Sequence, residues 1–184
     1  MLSLKRNSLA VFCLLLVGCQ KVDLAVEPEV HGAEDAEARA DNIVGTGEGT
    51  AERPYTVKDI RSKSLSGSEP VWTIGYMVGT AARSMSNALF SAEADNRSNI
   101  LLSSDSLCND TARCIPIELS SDKWKAAFYL PANVEHFRKC LIVKAIPSRY
   151  LNRKGLRSVS AGLWIDGFDL AAVTPNEWGN IVLH

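Results

Sequence analysis

The sequence predicts a mainly β fold, a small closed barrel of five strands with one short helix. Three observations predict it. Five short segments rich in β-branched and other apolar residues follow one another along the chain. One segment with helical spacing separates the third from the fourth. The 184 residues have room for one ordinary domain with appendages, and too little for two.

The strands are expected, in chain order, at residues 71–79, 99–103, 113–119, 140–146 and 156–165. In the first, Gly75 suits a bend or bulge of a curved strand. The third alternates, with Ile115 and Ile117 on one face, and its Pro116 predicts an irregular or edge position. Together these segments predict a strongly curved sheet.

A helix is expected over residues 122–129, because Ser121 or Asp122 can cap its first turn. Trp124 and Phe128 are four residues apart and should face inward from it. Five strands with a helix between the third and the fourth is the layout of an OB-fold, a small Greek-key barrel. The sequence therefore predicts an OB-fold-like domain over residues 45–184, with a C-terminal tail containing Trp178 packed on its outside.

The N-terminus has the three parts of a secretion signal. Lys5 and Arg6 are followed by an apolar run over residues 9–17 and by a small residue before Cys19. The run is about half of the roughly 20 residues that span a bilayer. Its end resembles the lipobox of bacterial lipoproteins. We therefore expect residues 1–18 to be a signal peptide and Cys19 to carry fatty acids such as palmitate.

An acidic segment follows the predicted lipid site. Residues 20–44 contain seven acidic and two basic residues and almost no aromatics, which is typical of a solvated tether. We therefore expect residues 19–44 to hold the domain at a membrane of the cell envelope. The outer membrane of a Gram-negative bacterium, on its periplasmic or surface side, is the expected location. From residue 45 onward the chain contains 16 basic and 14 acidic residues. The predicted domain is therefore nearly neutral, and its net charge does not require a polyanionic partner.

Three cysteines remain in the predicted domain. Cys108 and Cys114 are close in sequence, so a disulfide between them would close a short loop in an oxidising compartment. Buried, unpaired thiols, Cys140 among them, are the alternative. The cysteine spacing and the scattered histidines do not match a zinc site. We expect neither a metal nor another cofactor.

Several segments, in this order and spacing, resemble an uncharacterised OB-fold-like domain family found in secreted proteins and lipoproteins of Bacteroidota. They lie at residues 45–47, 54–57, 71–79, 99–102, 114–119 and 155–159. The resemblance covers roughly residues 45–165. It implies the same barrel, and it implies nucleic-acid binding only by analogy with related units beside nucleases. Residues 137–140 and 148–154 depart from the family pattern, and the second change makes that loop more basic.

Residues 138–157 contain seven basic residues and no acidic one. OB-folds commonly bind ligands on the face of strands two and three, with the first-to-second and fourth-to-fifth strand loops. Here those loops are expected at residues 80–98 and 148–155. Cations beside aromatic rings suit single-stranded nucleic acid. The candidate ligand-binding residues are therefore Arg83, Arg97, Arg149, Tyr150, Arg153 and Lys154.

No catalytic constellation is apparent, since the chain has no Gly-x-Ser-x-Gly elbow and its carboxylate pairs lie in expected turns. The sequence therefore predicts a binding domain, and not an enzyme. An anionic polymer such as single-stranded nucleic acid is the expected ligand. A glycan, or an envelope protein complex for which the barrel is an assembly platform, is the alternative, as is a solvated basic hairpin with no ligand. Oligomeric state is not readable from the sequence.

Overall fold

The computed structural model describes residues 47–65 and 67–165. Seven strands and two α-helices form in this part of the chain. In order they are β1 (Tyr55–Thr56), α1 (Val57–Ser62), β2 (Val71–Ala81), β3 (Ala88–Leu89), β4 (Asn99–Ser103), β5 (Cys114–Glu118), α2 (Asp122–Ala127), β6 (Cys140–Tyr150) and β7 (Arg153–Ile165). Short 3₁₀ turns lie at Met85–Asn87, Thr111–Arg113, Leu130–Ala132 and Val134–His136.

Five strands close into a ring in the order β2-β4-β5-β7-β6, with β6 pairing back to β2. β2 pairs with β6 from Val71 to Tyr76 and with β4 from Tyr76 onward, and its register shifts between Met77 and Gly79, whereas Gly75 is regularly paired with Leu141. β5 and β7 run parallel and meet at Ile117 and Leu156. This is the strand order of an OB-fold, with α2 between the third and fourth ring strands. The predicted fold class is confirmed, and β1 and β3 lie outside the ring.

The barrel interior holds the main apolar core, and both helices contribute to it. Val57 and Ile60 of α1 are buried there, as is Phe128 after α2. The Trp124 and Phe128 rings stack with centroids 5.6 Å apart, so the expected inward orientation of this pair is confirmed. A Cβ at Gly162 would lie 3.1 Å from Phe128. α2 therefore packs near the end of β7, whereas α1 contacts its beginning.

The segment before β2 begins as a short strand and continues as a helix. Residues 54–57 have the sequence Pro-Tyr-Thr-Val. Tyr55 and Thr56 form the two-residue strand β1, and Val57 is the first residue of α1. Thr56 accepts a hydrogen bond from the Asp59 N–H, and the Asp59 carboxylate accepts one from the Thr56 N–H. This reciprocal pair is a capping box, which stabilises the first turn of a helix. The helix therefore follows from the capping box, although the β-branched and aromatic residues of this segment are typical of a strand.

The connection expected as a loop at residues 148–155 is instead a continuous hairpin. β6 extends to Tyr150, β7 starts at Arg153, and the two residues are paired. The turn consists of Leu151 and Asn152, with φ of 49° and 60°. Two positive φ values are what a type I′ turn requires, and its twist matches that of the flanking strands. The basic residues therefore project from ordered strands.

The predicted signal peptide, Cys19, the tether and the tail after Ile165 lie outside the described residues. Within residues 47–65 and 67–165, no helix has the length and apolarity needed to cross a membrane.

Candidate functional site

The outer face of β4 and β5, where we expected an OB-fold ligand, is covered. Strand alternation turns Leu101 and Cys114 outward, away from the core residues Ile100 and Ile115, yet both are at most 3% exposed. They belong to a second apolar cluster that includes Cys108 from the connection between the two strands. Neither strand contains an aromatic residue for base or sugar stacking. This face offers a ligand no platform.

A cleft of about 470 Å³ lies between the C-terminal end of α1 and the β6–β7 hairpin. Its walls combine apolar and cationic side chains: Ile60, Leu65, Pro147, Lys63, Arg149 and Lys154. The volume falls within the range of small-ligand sites, roughly 300–1,000 Å³. We call this feature the hairpin cleft. Two of its three cations, Arg149 and Lys154, are residues that the sequence predicted.

Lys154 and Lys63 are held by contacts within the protein. Lys154 Nζ donates to the carbonyl oxygens of Ser62 and Lys63, at 3.4 and 3.0 Å, and so satisfies the C-terminal end of α1. Lys63 Nζ lies 3.2 Å from Asp59 Oδ1 and donates to the carbonyl of Gly47. These contacts fix the position of both ammonium groups. The charge of Lys63 is partly neutralised, because its ammonium group forms an ion pair with the buried Asp59 carboxylate.

Arg149 and Arg153 keep their charge uncompensated by any carboxylate of the described residues. Arg149 donates to the carbonyl of Asn152 at 3.1 Å, which fixes its guanidinium across the hairpin turn. Arg153 is exposed at the start of β7, directly before Lys154. A guanidinium presents several donors in a plane that matches a phosphate or carboxylate. Arg149 and Lys154 are paired and line the cleft, whereas Arg153 is paired with Tyr150 and lies on the other face of the hairpin.

The structure does not bring the other predicted site residues to this cleft. The Arg97 guanidinium stacks on Tyr129 at 4.0 Å, and the Tyr129 hydroxyl donates to Asp95 at 2.8 Å. Arg97 precedes β4, whose first residue pairs with the end of β5, whereas the tip of the hairpin lies toward the start of β5. Arg83 is exposed in the turn after β2. Both arginines therefore lie apart from the cleft.

Tyr150 is occupied by contacts within the hairpin. The Arg157 guanidinium lies 5.3 Å from its ring, and the Arg157 side chain also forms an ion pair with Glu118 at 3.4 Å. Its neighbour Arg149 points to the other side of β6, because successive side chains of a strand alternate. Tyr150 therefore does not line the cleft.

Sequence reasoning missed Lys63, Ile60 and Leu65. All three belong to α1 or to the residues just after it. The signal that could have found them is the Thr56–Asp59 capping box, which predicts that a helix starts at residue 57 and leads toward Lys63.

The two loop cysteines lie close together behind β4 and β5. Cys108 Sγ and Cys114 Sγ are 3.7 Å apart and both are buried. A hydrogen bond from the Cys114 thiol lowers the pKa of Cys108 to about 6, against the opposing effect of burial. The same contact and burial raise the pKa of Cys114. Among residues 47–65 and 67–165, no three His, Cys, Asp or Glu side chains converge as metal ligands would.

Comparison with known proteins places the barrel in a family. A family model described as a domain of unknown function (DUF6359) matches residues 55–165, from the first residue of β1 to the last residue of β7. Neither a search of curated proteins nor a search of solved structures gave a significant match. Because the family model spans more than half of the 184 residues, the chain belongs to the DUF6359 family.

Proposed function

We propose that the barrel is a non-catalytic binding module whose hairpin cleft takes an extended anionic polymer such as single-stranded nucleic acid. The observation that carries the proposal is Arg149 on the cleft wall, a guanidinium without a carboxylate partner among the described residues. Arg153, on the other face of the hairpin, adds a second such cation beside the cleft. Phosphate groups bind such cations and release counterions from the polymer. Arg149 belongs to the wall of a cleft, which gives the anion a defined place to bind.

The cleft walls predict the character of this binding. Ile60, Leu65 and Pro147 are apolar but not aromatic, so a base would find shape and burial there without ring stacking. Phosphate contacts would then supply most of the affinity. We therefore expect weak base preference and a strong dependence on salt. A glycan site built on planar aromatic rings would instead bind with little dependence on salt.

The proposal includes a place in the cell. Lys5, Arg6 and the apolar run before Cys19 support export and lipid attachment, and the acidic segment over residues 20–44 supports a tether. The barrel would then be held at the envelope of a Gram-negative bacterium, on the periplasmic or the surface side.

The test is a titration of residues 20–184 into a fluorescent single-stranded oligonucleotide, followed by anisotropy at low and at near-physiological salt. We expect binding that falls as salt rises. The double variant Arg149→Ala/Arg153→Ala should bind more weakly and lower the slope of log affinity against log salt by about 0.7 per removed contact.

A matched control removes the same charge elsewhere. Lys123 and Lys125 lie on α2, and neither lines the hairpin cleft. The variant Lys123→Ala/Lys125→Ala should therefore bind nearly as the parent does. Equal losses in both double variants would mean that only net charge matters. An absence of binding at low salt would discard nucleic acid and leave a glycan or a protein partner.

A further inference from the structure

The connection between β4 and β5, residues 104–113, is ordered around one backbone carbonyl. The Cys108 and Cys114 sulfur atoms both lie within hydrogen-bonding distance of the carbonyl oxygen of Asp110, at 3.4 and 3.2 Å. The Asp110 side chain caps the following 3₁₀ turn through the Ala112 N–H, and Arg113 forms an ion pair with Asp105 at 3.3 Å. Local contacts therefore hold the two sulfurs as neighbours.

Both sulfurs lie one layer below the surface. Cys108 and Cys114 are buried, whereas Leu107 and Asn109, on either side of Cys108, are exposed. The two thiols pack in the second apolar cluster beside Leu101, on the outside of the barrel wall. A bond between them would join the connection to the first residue of β5.

We propose that Cys108 and Cys114 form a reversible disulfide that fastens residues 104–113 over the outer face of β4 and β5. The sequence spacing alone left a bridge and buried thiols as two alternatives. The geometry adds a chemical role for each sulfur and a structural consequence, since the fastened segment covers the face that other OB-folds leave open to ligands.

The two sulfurs have different roles. Cys108 ionises first, so its thiolate is the attacking group. It attacks one sulfur of a donor disulfide, such as glutathione disulfide, forms a mixed disulfide and expels one donor thiolate. Cys114 then loses its proton to that thiolate, attacks the Cys108 sulfur and expels the second donor thiolate, which takes up a solvent proton. Two protein thiols are oxidised, and one donor disulfide is reduced to two thiols.

The chain offers a direct assay. Full-length protein is reduced in denaturant, refolded in a glutathione redox buffer, alkylated and digested with trypsin. Cleavage after Arg97, Arg113 and Lys123 separates Cys108 from Cys114, in peptides 98–113 and 114–123. We expect these two peptides to remain linked until reductant is added. Reduction of the folded protein, followed by reoxidation, should restore the link.

Cys140 is the internal competitor, because it belongs to the same apolar cluster. Trypsin places it in a third peptide, residues 140–144. A link from this peptide to either of the others, or full alkylation of both Cys108 and Cys114 at every redox ratio, would overturn the proposal. The assay uses the unaltered sequence, so no outcome depends on whether a variant folds.

The pH dependence of alkylation tests the assigned roles separately. In the reduced folded protein, Cys108 should reach half its maximal alkylation rate near pH 6. Cys114→Ala removes the hydrogen-bond donor and should move this midpoint upward, whereas Cys140→Ala should leave it in place. An unchanged midpoint in Cys114→Ala would mean that Cys108 is not the activated thiol.

Discussion

Gly155 determines how closely the hairpin approaches the barrel. A Cβ at this position would lie 2.2 Å from the carbonyl oxygen of Pro116, nearer than any real contact of this kind. Pro116 also has no N–H for the ladder, and the described pairing of β5 with β7 is confined to Ile117 and Leu156. β5 lies inside the ring and pairs with β4 through Pro116, so the predicted edge position is wrong. The seam with β7 is short, and a small residue on β7 permits it.

Gly155→Ala should lower the free energy of unfolding by about 1–3 kcal/mol, because backbone on one side of the seam must move. Urea denaturation followed by circular dichroism measures the change. Gly67→Ala is the control, since its Cβ would have only one neighbour within 4 Å, at 3.9 Å. A Gly155→Ala protein as stable as the parent would show that the seam is loose.

For individual residues, the sequence predicted the cluster of basic side chains better than the place of each side chain in the fold. Arg149 and Lys154 were found because a run of basic residues without acids is visible in the sequence. The structure places Arg97 apart from them, stacked on Tyr129, a residue distant in the sequence. Lys63 was missed because its place in the cleft depends on where α1 ends.

Among the elements, α1 links local sequence to the cleft. Its capping box sets where the helix starts, and Lys154 satisfies its last carbonyls from the hairpin. One wall of the cleft therefore depends on a hydrogen bond at the far end of a six-residue helix. Such a short helix is unstable in isolation and needs both its caps and its packing.

Thr56→Ala should cost about 1 kcal/mol of stability and also weaken oligonucleotide binding, because the cleft wall loosens. Ser121→Ala is the matched control. Ser121 caps α2, which does not line the cleft, so a similar loss of stability should leave affinity unchanged. Denaturation and anisotropy on the same samples separate the two effects. Equal affinity losses in both variants would contradict the role given to α1.

For the whole molecule, the ring could be predicted because each strand has its own local pattern and the helix falls between the third and the fourth. The covered outer face could not be predicted. Its burial depends on side chains from distant segments, among them Met85, Phe90 and Cys108, that meet only in the folded barrel. The sequence therefore predicted the architecture correctly, whereas the strand face on which a ligand was expected is closed.

Lipid attachment is tested on the whole chain in a Gram-negative host. Metabolic labelling with an alkyne analogue of palmitate should mark the parent protein and leave Cys19→Ala unlabelled. The variant should also leave the detergent phase in a phase-separation assay. Cys13→Ala, altered within the predicted signal, should keep its label. Label that persists in Cys19→Ala would contradict the predicted attachment site.

The chain order around α1 has a mechanical consequence. β1 lies outside the closed ring and pairs with β2 through two residues, whereas α1 inserts Val57 and Ile60 into the barrel core. Tension applied through the N-terminal side of the chain therefore reaches β1 and α1 before it reaches the ring. Peeling β1 and then α1 would displace one wall of the hairpin cleft and uncover part of the barrel core. An occupant bridging α1 and the hairpin would oppose that displacement, so its residence time would depend on force.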